Sequence, residues 1–294
     1  MSRLGFLLAF FVAVAKAVKN ITTKIATTET DEYVTGWSFR AVSALLLVPA
    51  AVLFNSTKLN FELIFWGPLV INAFAVAAIT IIRTRAFRLT DVSIISPLFA
   101  LTPVAVAIPA WFLLNQIPSV VGLTGLLIVV VGTYLLYFDT SHTDLFEPLQ
   151  RLRSDRGVQY AALSILIVAA IPSLDTIGIR ASSPLLWTAS KSGVTAVILL
   201  PILGYVRTDV SKTAAQISES LGTLLLIGIS TSVIALIQAY AYLFIDVSYV
   251  QAIKQVSIVI SVLYGVTWLD EPNTRYRLIG SILIFLGVAA IILA

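Results

Sequence analysis

Apolar stretches of about 20 residues alternate along the chain with short charged or turn-forming segments. They predict spans near residues 4–25, 37–54, 63–83, 92–114 and 120–138, then 158–179, 184–205, 221–244, 247–269 and 277–294. Roughly 20 apolar residues are what a helix needs to cross the hydrocarbon layer. A membrane strand would alternate polar and apolar positions, whereas these stretches are apolar on every face, so only helices fit. Between the two sets lies the longest polar stretch, Asp139 to Arg156, which reads as a linker. Met1 to Ala15 imitates a secretory leader, but apolar character resumes after Lys16 and Lys19 and many spans follow, so it reads as a retained first helix.

The second set repeats the first. Asp91-Val92-Ser93 recurs as Asp246-Val247-Ser248, an offset of 155 residues (246 − 91). In that frame Gly67, Gly125 and Gly132 meet Gly222, Gly280 and Gly287, and Leu69, Ile79, Ile82, Ala86, Val104, Leu114 and Leu123 meet identical residues. Three glycines and a polar triplet in one ungapped frame indicate duplication. The expected organisation is a first five-helix repeat over 1–140, a polar linker over 141–157 and a second five-helix repeat over 158–294. Five crossings are an odd number, so the second copy must enter the membrane inverted. The predicted fold class is therefore an all-α integral membrane protein of ten transmembrane helices, arranged as two inverted five-helix repeats.

Composition narrows the chemistry. The chain is 59% hydrophobic and 12% charged, against about a quarter charged in soluble domains, which leaves no room for a large soluble domain. There is no cysteine, and His142 in the linker is the sole histidine, so neither a sulfur or multi-histidine metal site nor a Ser/His/Asp relay has components. No cofactor is implied. The formal net charge of +4 is spread over loops, which suits lipid headgroups rather than nucleic acid.

A charge at the bilayer centre costs roughly 2.5–3.5 kcal/mol on insertion scales, so ionisable residues within spans are site candidates. In the first span these are Lys16 and Lys19, three apart on one face, with Asn20 adjacent; snorkelling to headgroups is the alternative. Lys254 lies seven residues into the ninth span beside Gln251 and Gln255, with an ion pair to Asp175 as the alternative to a solute role. Lys191, four residues after Trp187, either faces a cavity or anchors at the interface. Gln238, Tyr240 and Tyr242 either line a cavity or belong to an interfacial aromatic belt. Within the spans Lys16, Lys19, Lys191 and Lys254 outnumber Asp175, which favours an anionic or zwitterionic solute.

The end of each half carries a resemblance. A span opens with Asp91-Val92-Ser93 or Asp246-Val247-Ser248 and closes with Asn115-Gln116-Ile117-Pro118 or Asp270-Glu271-Pro272-Asn273. A span with glycines seven apart follows, Gly125 and Gly132 or Gly280 and Gly287. In these features the chain resembles EamA-type transporters of the drug/metabolite transporter superfamily, with Gln116 departing from the family's usual Glu; a helix-end structural role is expected there. The resemblance implies a ten-helix bundle in the cell membrane with a central solute cavity, exporting or exchanging a small polar metabolite by alternating access. Expected partners are a small-molecule solute and the lipid bilayer, with a homodimer left open. The alternatives are a cationic drug/proton antiporter of the same superfamily, an intramembrane enzyme, and a non-transporting membrane partner. Orientation stays open: the resemblance implies cytoplasmic termini, whereas Arg83, Arg85, Arg88, Arg151, Arg153, Arg156, Arg207, Lys212, Arg275 and Arg277 on the opposite side, against Arg3, Lys58 and Arg180, argue for the reverse.

Overall fold

The computed structural model describes residues 2–26, 32–54, 63–137, 147–206, 217–268 and 275–294. Asp270 and Glu271, the second half's counterparts of Asn115 and Gln116, lie outside them. The described residues are helical, without a strand. In the first half α1 is Arg3–Ala26, α2 Glu32–Phe54, α3 Leu63–Leu89, α4 Val92–Ile95, α5 Thr102–Leu114 and α6 Val120–Tyr137. A short α7, Glu147–Gln150, precedes the second half, in which α8 is Arg156–Arg180, α9 Pro184–Val206, α10 Leu221–Ala241, α11 Val247–Ile253, α12 Val256–Trp268 and α13 Arg275–Leu293. Among the described residues nine stretches are long and apolar enough to cross a membrane. The expected tenth, α1, is not among them, and it carries Arg3, Lys16 and Lys19.

Two of the nine are broken in the middle. Between α4 and α5 the chain tightens into a 3-10 helix, Ser96–Leu101, with Pro97 in its first turn and Pro103 opening α5. A proline has no amide to donate to the turn behind it. The second break, at Lys254-Gln255, has no proline; there the ladder shifts to three-residue spacing, with Gln255 N–H donating to Ala252 and Ile258 N–H to Gln255. The two breaks fall at equivalent places, since Lys254 is offset by 155 from Phe99 (254 − 155).

Packing pairs the halves reciprocally. The α1 helix packs on α10 and α12, and its counterpart α8 packs on α3 and α5. The α2 helix packs on its counterpart α9, and α11 crosses α5 at the centre. Most intimate is α6 against its counterpart α13, where Gly125 faces Gly287 and Gly132 faces Gly280, so the two helices run antiparallel. Two connections fix the ends of the bundle. The α3 end is tied to the α8 start by the Thr90 hydroxyl donating to Asp155. The α1 start meets the α10–α11 turn, with Gly5 against Phe244 and Ile245. Asn115, in the left-handed conformation at φ 55°, ends α5. The following Gln116 Oε1 accepts from the amide of Val247, 3.2 Å away, and so caps a helix of the other half.

Two predictions follow from this packing. A Cβ on Gly132 would lie 2.7 Å from the Gly280 carbonyl, and backbone on both sides cannot yield. Gly132→Val should cost about 1–3 kcal/mol, read as a lower thermal midpoint in detergent, whereas Gly67→Ala, with open space around it, should not lower it. The second concerns Asp155, which caps α8 through the amides of Gly157 and Val158. Desolvation opposes its ionisation, but the Thr90 hydroxyl, those amides and Arg151 outweigh it and hold the carboxyl below the usual carboxylate range. A carboxyl depressed by folding stabilises above its unfolded pKa of about 4, and that contribution is lost as pH falls through the folded value. Asp155→Ala should therefore cost about 1 kcal/mol at neutral pH, and the gap between variant and parent should close on acidification below about pH 4.

Candidate functional site

The breaks and the helices around them enclose a cavity of about 330 Å³, within the range of small-molecule sites. The α1 helix contributes Lys16 and Asn20, one turn apart, and α3 contributes Arg83. The first break supplies Phe99 and α5 supplies Thr102; α6 supplies Tyr137 from its last turn. Gln251 of α11 and Lys254 and Gln255 of the second break complete the polar wall. Because the helix tightens to three-residue spacing at the second break, Lys254 and Gln255 turn to the cavity rather than along a regular helical face. Arg83 stacks its guanidinium 4.6 Å from the centre of the Phe99 ring and donates from Nε to Ser164 at 3.5 Å. Among the described residues no carboxylate lines this cavity, and none pairs with Lys16, Arg83 or Lys254.

Toward the other end of the bundle the chemistry is opposite. Asp175 of α8 is buried and fully engaged: Oδ1 accepts from Asn72 Nδ2 and Trp187 Nε1, each at 2.9 Å, and the two oxygens take Lys191 Nζ at 2.7 and 2.8 Å. The partner of Asp175 is thus Lys191, sixteen residues on and across the α8–α9 turn, and not Lys254. Two neutral donors and a cation are what a buried carboxylate requires. This cluster, with Arg40, Gln238 and Tyr242, leaves only about 50 Å³, room for a water or two and too little for a metabolite. A polar partition separates the two spaces: the Tyr242 hydroxyl accepts from Gln238 Nε2 at 2.6 Å and from Gln251 Nε2 at 2.7 Å.

The sequence candidates therefore divide. Lys16, Asn20, Gln251, Lys254 and Gln255 meet in the larger cavity, and Asp175, Trp187, Lys191 and Gln238 in the smaller. Lys19 lines neither; its ammonium sits 4.9 Å from the centre of the Phe39 ring. Tyr240 faces outward at 42% exposure, while Tyr242, two residues on, is buried at the partition. Arg83 and Arg40 line the larger and the smaller space, although the spans read from sequence left them at or near helix ends. In the structure α3 runs to Leu89 and α2 starts at Glu32, which puts both guanidiniums more than a turn inside. Arg83 is consequently a cavity residue and does not count as a loop cation in the charge balance.

The ion pair makes its own prediction. Lys191→Ala strands the Asp175 carboxylate among neutral donors and should cost about 3–5 kcal/mol, seen as a large drop in thermal midpoint. Adding Asp175→Asn should recover much of it. A single variant as stable as the parent would contradict the pairing.

Comparison with known proteins bears on the whole chain. The EamA-like transporter family matches in two parts, residues 3–138 and 155–293. Among solved structures 28 chains match. One, titled only "Crystal structure of protein", aligns at 14% identity with a TM-score of 0.74 over 98% of this chain and 97% of its own, a likeness that shows the fold alone. No curated protein matches. The match to both halves, with nine apolar spans and no strand among the described residues, makes this a multi-pass membrane protein and not an enzyme: the chain belongs to the EamA-like transporter family, within the drug/metabolite transporter superfamily.

Proposed function

We propose that the chain is a ten-span secondary transporter of the cell membrane, built from two inverted five-helix repeats, that exports or exchanges a small anionic or zwitterionic metabolite by alternating access. The observation that carries this reading is the unpaired cation set Lys16, Arg83 and Lys254 around a metabolite-sized cavity. Cations inside a membrane protein with neither carboxylate nor lipid to answer them are arranged for an anion that comes and goes. The donor-rich wall of Asn20, Gln251, Gln255, Thr102 and Tyr137 suits carboxylate or phosphate oxygens. The inverted repeat is supported by the reciprocal helix pairs, by the antiparallel crossing of α6 and α13, and by breaks at equivalent positions.

The cationic drug/proton antiporter has less to stand on. It needs a carboxylate facing the cavity that exchanges its proton for the drug, and Asp175 is turned away from the cavity and held by Lys191, Trp187 and Asn72. A non-transporting partner would close its cavity with apolar side chains and pair Lys254 with Asp175, and neither condition is met.

Counterflow into proteoliposomes loaded with a panel of organic acids, sugar phosphates, amino acids and cationic drugs tests the reading. Anions should exchange, and Lys254→Ala should reduce their flux about 10–100-fold, the worth of one charge-assisted contact. Flux confined to cations, or anion flux indifferent to Lys254→Ala, would overturn it.

A further inference from the structure

The two ends of the bundle differ in charge balance. Asp175 neutralises Lys191 at the closed end, and Gln238 there corresponds in the repeat frame to Arg83 at the cavity end (238 − 155), a guanidinium in place of an amide. The closed end has one carboxylate, Asp175, for its two cations Lys191 and Arg40, while the cavity end has none: Asn20 stands beside Lys16 and Arg83, and Lys254 faces them, with no carboxylate among the described lining residues. As long as that end is open, water solvates the three cations. When it closes so that the other end can open, the helices carrying Asn20, Arg83 and Lys254 draw together and water leaves. Stripping water from an unpaired ion is costly, and like charges brought together add to that cost. A bound anion removes that cost.

Resting on the anion-carrier reading above, we propose that the solute is the counter-ion the cavity end lacks, so that the chain changes access only when loaded and is an obligatory one-for-one anion exchanger. The solute class follows: a small carboxylate or phosphate whose oxygens meet two or more of the cations at once. A compound without a carboxylate or phosphate group cannot drive the change, however well it fills the space. Because Asn20 shares the cavity wall with Lys16, Arg83 and Lys254, the mode should be convertible there. Asn20→Asp, nearly the same shape, installs at the cavity end the carboxylate that Asp175 provides at the other.

The experiment compares two fluxes in proteoliposomes loaded with radiolabelled succinate, inorganic phosphate or a sugar phosphate: efflux into buffer holding the same anion, and efflux into anion-free gluconate-excluded sugar buffer. The parent should show exchange at least tenfold faster than net efflux. Asn20→Asp should raise net efflux several-fold and slow exchange, because its carboxylate competes with the solute. A second readout needs no solute. The chain lacks cysteine, so Ser192→Cys, buried in the small space beside Asp175, reports opening of that end to a membrane-impermeant thiol reagent. It should be inert in the solute-free parent, reactive when exchangeable anion is present, and reactive without solute in the Asn20→Asp background. Parent net efflux as fast as exchange, or a Ser192→Cys thiol equally reactive in both solute-free backgrounds, would overturn obligatory exchange while leaving an anion carrier. Absence of exchange for every anion would instead remove the carrier reading, and this inference with it.

Discussion

An ionised side chain in the interior of a membrane protein must have water, a counter-ion or a ring face, because hydrocarbon offers none of them. This constraint sorts the interior of the chain. Lys191 has Asp175, Lys19 has the Phe39 ring, and Arg83 has Phe99 on one side. Lys16 and Lys254 face the cavity, and no described carboxylate pairs with them. The space between the halves is thus what lets these lysines remain in an otherwise apolar bundle, and the same lysines determine what may enter it.

The backbone is arranged to serve that space. Both spans that wall it are interrupted at equivalent places, and each interruption delivers a lining side chain, Phe99 or Lys254, to the centre. The remaining contacts are close and regular. The α6 and α13 helices lie backbone to backbone through four glycines. Ser232 bonds Ser43 at 2.9 Å where α10 crosses α2. Small residues substitute for a hydrophobic driving force that lipid does not supply. Close helix pairs thus surround two interrupted central spans.

Much of the fold was legible because its signals are additive. Twenty apolar residues predict a helix however they pack, and an ungapped 155-residue frame needs no structure to be seen. Single residues were harder. Arg83 and Arg40 do not stand out in sequence because a charge near the end of an apolar run looks like the end of a helix, whereas both helices extend more than a turn past them. Tyr240 and Tyr242 are indistinguishable in sequence, and only the helix phase shows which ring is buried. The break at Lys254-Gln255 carries neither proline nor glycine, so nothing local announces it. The pairing of Asp175 followed from the tight α8–α9 turn, which brings Lys191 within reach, and a count of charges could not choose it over Lys254.

The central claim is that the unpaired lysines border water and not lipid or packed side chains. Thr102, opposite them in the cavity wall, can carry the sole cysteine of the chain. In sealed proteoliposomes, Thr102→Cys should react with a membrane-impermeant thiol reagent from the face onto which the cavity opens, and bound anion should slow that reaction. A thiol inert from both faces, while one placed on an exposed loop reacts at once, would mean that the cavity is closed to water and that the account of the site is wrong.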